Sequence, residues 1–132
     1  MRNYLAVVDK DTDSAFGLWF PDVPGCFSAA DDEADIISNA VEALRLFAED
    51  ETLPPPSPHE AIVSRDDVRE SLAQGAYLLS IPLIEADTAV VRANVTFERG
   101  MLRAIDEAAR RMGVTRSAFL ASAARDKIEM RR

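Results

Sequence analysis

The stretch from Val91 to Ile128 constrains the fold most, because it reads as one strand followed by two helices. Residues 91–97 alternate with the two-residue period of a half-buried strand. The apolar positions are Ala93, Val95 and Phe97, and the polar positions are Arg92, Asn94 and Thr96. A segment of about forty residues seldom folds alone without disulfides or a metal, and a lone strand leaves its backbone groups unpaired. This segment therefore needs a partner.

Two amphipathic helices are predicted after the strand. The first covers 98–112, with an apolar stripe of Leu102, Ile105, Ala109 and Met112. Gly113 suits a left-handed helix end, and a second helix starts at Thr115. Phe119, Leu120 and Ala123 face the core in this second helix.

Pairing with the same strand of a second chain would satisfy both needs of this segment. Two such strands make an antiparallel ribbon whose inner face packs on four helices. The dimer core predicted on this basis consists of Val95, Phe97, Leu102, Ile105, Phe119 and Leu120. The outer face then presents Arg92, Asn94 and Thr96 twice.

The charge of the chain is divided between its two parts. Residues 92–132 hold ten Lys and Arg against five Asp and Glu, a net charge of +5, whereas residues 1–91 carry −13. A two-stranded ribbon fits the major groove of DNA, where Arg reads guanine and Asn reads adenine. We therefore expect base contacts from the outer face of the ribbon. We expect phosphate contacts from the start of the second helix, at Thr115, Arg116 and Ser117.

The tail resembles the ribbon-helix-helix repressors. Residues 91–128 share the strand, the two helices and the basic bias, and Gly-Val-Thr-Arg-Ser-Ala-Phe at 113–119 is similar to the inter-helix turn of that family. The resemblance implies a homodimer, or a higher even-numbered oligomer, that binds operator double-stranded DNA.

The first half of the chain reads as a small α+β module. Runs at 4–8 and 15–20 predict a β-hairpin, and 26–29 a third strand. A helix should follow, capped by Asp31 or Asp32. Its apolar stripe is predicted at Ile37, Ala40, Val41, Leu44 and Ala48.

Further along, the prolines of 54–58 predict a stiff extended spacer. A capping box at 64–67 should open a short helix that stops at Gly75, and 77–81 should form a strand whose edge position is marked by Pro82. The predicted domains are 1–84 and 91–132, joined by a linker at 85–90.

The module resembles HicB-type antitoxins. The residues that carry the resemblance are Phe-Pro-Asp-Val-Pro-Gly-Cys at 20–26, the acid-capped helix that follows, and the strand and proline at 77–82. The resemblance implies a partial ribonuclease H-like sheet with one main helix. It also implies an antitoxin that neutralises a HicA-type toxin, an mRNA-cleaving ribonuclease, and represses its own operon.

Two alternatives stay open from the residues alone. One is a repressor whose first domain senses a small molecule. The other is a residual metal-dependent nuclease that uses some of Asp9, Asp11, Asp13, Asp22, Asp31 and Asp32. Asp9–Phe20 lacks the glycine and the glutamate of a calcium loop, and His59 reads as a surface residue, so we expect no catalytic residue, metal or cofactor. The single cysteine favours the cytoplasm, and no apolar run is long enough for a membrane span.

Overall fold

The computed structural model describes residues 1–131, which divide into two compact units. The first unit contains Met1–Glu85 together with the terminal segment that begins at Glu129. The second unit is Ala86–Ile128. No helix within 1–131 has the length and apolar character that crossing a membrane requires.

A four-stranded antiparallel sheet forms the centre of the first unit, in the order β3-β2-β1-β4. The predicted hairpin, the third strand and the later strand are all present, and β4 pairs with the outer side of β1. The strands are longer or shorter than predicted by one or two residues at most ends. They are β1 Arg2–Lys10, β2 Phe16–Trp19, β3 Phe27–Ala30 and β4 Tyr77–Leu83.

The main helix, α1 (Ile36–Asp50), covers one face of the sheet, called here the α1 face. A 3-10 turn precedes it, and Asp32 caps that turn by accepting a hydrogen bond from the Ala34 N–H at 3.0 Å. The predicted stripe was partly wrong, because Ile36 is buried whereas Ile37 is only half-buried and Ala48 is exposed. The 3-10 turn shifts the start of α1, and this rotates the buried face. The core side chains on the α1 face include Tyr4, Ala6, Val8, Leu18, Phe20, Ala40, Val41 and Leu44.

Two short helices, α2 (His59–Val63) and α3 (Asp66–Ala73), pack on the opposite face, called here the α3 face. The predicted capping box was wrong: α3 follows Arg65 without a side-chain cap, and the Ser64 hydroxyl donates to the Ala61 carbonyl instead. The buried residues of this layer are Val7, Ile62 and Val68, and Leu5, Trp19, Leu72 and Leu78 pack against them.

The proline-rich connector is attached to the module rather than standing free as a spacer. The Tyr4 hydroxyl donates to the Pro54 carbonyl at 2.7 Å, and Leu53 is buried in the core. The Asp22 carboxylate accepts from both the backbone N–H and the hydroxyl of Ser57, at 2.7 and 2.6 Å. These bonds hold the connector against the Pro21–Gly25 turn.

Glu129 is the one fully buried charged residue among those described. Its carboxylate accepts hydrogen bonds from Arg45 on α1 and from Arg131, each at 2.7 Å. Burial of a carboxylate is tolerated where cations and hydrogen bonds surround it, as here.

The second unit contains two helices, α4 (Arg99–Met112) and α5 (Arg116–Ile128). Gly113 has a φ of 70°, which confirms the predicted left-handed end of the first helix. The N–H of Val114 donates back to the Ala109 carbonyl at 3.0 Å and closes that end. Ile105 and Ala109 are buried, whereas Met112, predicted in the same stripe, is 63% exposed.

Candidate functional site

The candidate DNA-binding residues lie in the second unit, on two segments that come together in one groove. The groove has a volume of about 350 Å³. Of the polar residues predicted to touch DNA, it brings together Asn94, Arg116 and Ser117. Arg92, Thr96 and Thr115 are exposed but do not line it. The remaining lining residues are Ala93, Val95, Phe97, Leu102 and Leu120.

The segment that precedes α4 has no regular secondary structure within this one chain. All of residues 85–101 are exposed, and Val95 and Phe97 expose 68% and 38% of their surface. Leu102, Phe119 and Leu120 are half-buried, so Ile105 alone of the predicted dimer core is buried by its own chain. Exposed apolar side chains that adjoin one another mark a surface that another molecule covers.

The start of α5 is arranged by Thr115. Its hydroxyl oxygen accepts from the Ala118 N–H at 3.1 Å, as a helix cap does. The hydroxyl proton is still available to donate to an anion. The first N–H groups of a helix have no partner inside the helix, and the helix dipole makes this end positive.

Arg116 has a partner that the sequence did not reveal. Its Nε and Nη2 donate to the two oxygens of Asp106 on α4, at 2.8 and 2.9 Å. This bidentate bond lowers the pKa of Asp106 from its usual value and raises the pKa of Arg116. Two of the five guanidinium N–H groups are therefore used, and three can still reach a ligand.

The acidic residues considered for a metal site do not converge. Within residues 1–131, no three His, Cys, Asp or Glu side chains lie close enough to share a metal ion. Both oxygens of Asp22 accept from Ser57, and Asp32 caps the 3-10 turn. The Cys26 thiol is buried, which raises its pKa. His59 is exposed at the start of α2.

The turn that carries Phe-Pro-Asp-Val-Pro-Gly-Cys is held from several sides. Gly25 has a φ of 88°, a left-handed conformation that favours glycine. Arg65 donates from Nη1 to the Pro21 carbonyl and pairs with Asp67 at 2.8 Å, and this pairing lowers the pKa of Asp67. The motif thus builds a rigid loop beside β3.

Comparison with known proteins points to one family. Residues 4–124 match the model of the HicB-like antitoxins of bacterial toxin–antitoxin systems. The crystal structure of the antitoxin HicB of Burkholderia pseudomallei is similar over 94% of this chain and 96% of that one, with 29% identity and a TM-score of 0.54. The antitoxin HicB3 is 32% identical, with a TM-score of 0.52, over 96% of this chain and 97% of its own.

A complex is also among the similar structures. The complex of the toxin HicA3 with the antitoxin HicB3 contains a chain that is similar to this protein. The similarity covers 63% of this protein and 99% of that chain. The identity is 29% and the TM-score 0.50.

Proposed function

Because this chain belongs to the HicB-like antitoxin family, we propose that it neutralises a HicA-type, mRNA-cleaving toxin and represses its own operon. The first unit binds the toxin, and the second unit pairs with a second copy and binds operator DNA. The family is typically non-enzymatic, and we infer that this member also acts by binding, in the cytoplasm where mRNA and operator are found.

Toxin binding is supported by the similarity to other HicB-like antitoxins and by the net charge of the first unit. A solved structure contains HicB3, a protein similar to this chain, in a complex with the toxin HicA3. Residues 1–91 of this chain carry a net charge of −13, which would steer a basic, RNA-binding protein towards the first unit. The acidic module and the basic tail then have different partners.

The groove of the second unit carries the DNA half of the proposal. It places Asn94, Arg116 and Ser117 beside apolar side chains that this chain leaves uncovered. In a ribbon of two copies, Val95 and Phe97 would be covered by the helices of the dimer, and Arg92, Asn94 and Thr96 would face the major groove. Thr115, Arg116 and Ser117 would hold a phosphate on each side.

Coexpression tests the toxin half. We expect the gene beside this one to encode a small basic protein. That protein should arrest growth when produced alone, and growth should recover when this chain is produced with it. The two proteins should copurify. An adjacent protein that stays toxic and does not copurify would contradict the proposal.

Titration with DNA tests the repressor half. The chain should bind the promoter fragment of its operon more tightly than unrelated DNA of equal length, and its affinity should fall steeply as NaCl rises. Equal affinity for both fragments at all salt concentrations would contradict operator binding.

A further inference from the structure

One row of side chains crosses all four strands on the α3 face and is covered only in part. The strands pair so that Leu78, Val7, Trp19 and Phe27 follow one another, one from each strand. Directly opposed residues of neighbouring strands share a face of the sheet. Val7 is buried, and Trp19 and Leu78 pack against the layer of α2 and α3. Phe27 ends the row and is 70% exposed, so the helical layer stops before it reaches β3.

The outer edge of β3 is also open to a partner. It is the last strand of the sheet, and its sequence Phe-Ser-Ala-Ala contains none of the lysines or prolines that usually protect an edge. The opposite edge strand, β4, does contain Pro82. At the β3 edge, the Asn39 side chain donates to the Ala29 carbonyl at 2.9 Å and covers one backbone group.

The next row on the same face adds a negative charge. Asp9, Gly17 and Ala29 oppose one another across β1, β2 and β3. Gly17 has no side chain, so none covers the backbone of β2 at this position. Asp9 Oδ1 lies 3.0 Å from the position that a Cβ on Gly17 would occupy. The carboxylate therefore lies over the sheet beside the uncovered β3.

We propose that this area, defined by Phe27, Ala29, Gly17 and Asp9 and called the β3 surface, is where the toxin docks. The proposal rests on the toxin binding proposed above and assigns it a place. Phe27 would insert between apolar side chains of the toxin, and Asp9 would pair with a Lys or Arg at the margin.

The charge of the chain favours a basic occupant over a second copy. Two copies of the first unit that met at β3 would bring together two segments that each carry a net charge of −13 over residues 1–91, and like net charges oppose such a contact. A basic protein would instead be attracted by the net negative charge of this segment.

Phe27→Ser is the direct test, measured in the full chain as the affinity for the adjacent basic protein. Loss of a central aromatic contact should weaken binding about 30-fold or more. Phe27→Leu should retain most of the affinity. The matched control is Leu46→Ser, since Leu46 is 55% exposed on the outer side of α1. The melting temperatures of all three variants should stay near that of the wild type, because both side chains are largely exposed.

Asp9→Lys tests the charged margin. It should weaken binding about 10-fold at low salt and reduce the dependence of affinity on NaCl, whereas Asp50→Lys at the end of α1 should have a much smaller effect. The two charge reversals are equal in net charge, so the difference reports position.

The outcomes separate the two proposals. A wild-type chain that does not bind the toxin overturns both. A wild-type chain that binds it, with Phe27→Ser as tight as Leu46→Ser, overturns the β3 surface and leaves the antitoxin function standing. If Phe27→Ser instead abolishes self-association with toxin binding unchanged, the surface joins copies of this chain and the proposal is also overturned.

Discussion

Among individual side chains, Arg116 has the most consequence for the proposed DNA interface. The bidentate pairing with Asp106 holds the guanidinium at the start of α5 and fixes its orientation. The carboxylate also partly neutralises the positive charge that a phosphate would meet. Asp106 should therefore limit how strongly this site attracts any DNA.

Asp106→Asn is expected to increase affinity for DNA of every sequence. Removing the carboxylate leaves the charge of Arg116 without a neighbouring counter-charge, so binding should tighten about 3- to 10-fold at low salt, with a salt slope steeper by up to about 0.9. Titrations at several NaCl concentrations measure this. Glu107→Gln, which makes the same charge change on the neighbouring residue, is the control, and equal effects of the two variants would refute a specific role for Asp106.

The same pair gives a pH prediction. The pKa of Asp106 is lowered in the folded protein by the hydrogen bonds from Arg116. The pair therefore contributes stability above the unfolded pKa of about 4, and this contribution is lost as the pH falls through the lower folded pKa. Thermal unfolding between pH 7 and pH 2.5 should show less acid sensitivity in Asp106→Asn than in the wild type. Identical pH profiles would argue against the pair as a source of acid sensitivity.

Asn94 should be the residue that reads a base. Asn94→Ala is expected to cost about 1–3 kcal/mol of operator binding and to relax base preference at one position, because Asn bonds adenine with two hydrogen bonds. Competition with single-base operator variants measures both effects. Unchanged operator affinity would mean that the outward face of the ribbon is displaced by one residue.

At the level of helices and strands, local patterns predicted the elements well and their contacts poorly. The apolar run of β1, the acidic start of α1 and Gly113 are each determined by neighbouring residues, and all three were found. The burial of Ile36 instead of Ile37 depends on the 3-10 turn that precedes α1. The Ser64 hydroxyl does not cap α3 because it bonds to α2, and no sequence pattern indicated α2. Arg116 and Asp106 are ten residues apart, on different helices, and only the folded chain brings them together.

The connector shows how distant residues decide the role of a segment. Its prolines predict a stiff spacer, but Ser57 bonds to Asp22 and Pro54 to Tyr4 across the module. Asp22, which could have been read as a metal ligand, instead holds the connector against the turn.

Asp22→Ala should therefore destabilise the first unit. It removes the acceptor of two hydrogen bonds from Ser57, and a hydrogen bond to a charged group contributes about 1.5–3 kcal/mol. Because both bonds share one carboxylate that is only half-buried, their contributions do not simply add, and a total loss of about 2–3 kcal/mol is expected. Urea unfolding of the two proteins gives the value. Asp13→Ala in the exposed β1–β2 turn is the control, with a change below about 0.5 kcal/mol.

In the full chain, a substitution in one unit should abolish the function of that unit and leave the function of the other intact. Val95→Asp puts a charge into the proposed dimer core, so it should abolish both dimerisation and DNA binding while the toxin is still bound. Sedimentation and DNA titration measure the first two properties, and copurification the third. Val90→Asp, the same change in the predicted linker, should leave all three intact. A Val95→Asp protein that still dimerises would contradict the ribbon.

The two surfaces proposed to meet other molecules differ in how far the sequence predicts them. Phe27 is a large apolar residue in a predicted strand, which is typical of a core residue. Its exposure follows from where the layer of α2 and α3 ends. The exposed Val95 and Phe97, in contrast, could be predicted, because the alternating segment has no strand of its own chain to pair with.

The burial of Glu129 between Arg45 and Arg131 bears on how the protein can be handled. Residue 132 lies only three positions beyond this carboxylate. A purification tag or fluorescent reporter fused there would begin next to a desolvated charge and crowd helix α1. A fusion ahead of Met1, whose side chain is exposed, is the safer design for pull-down assays.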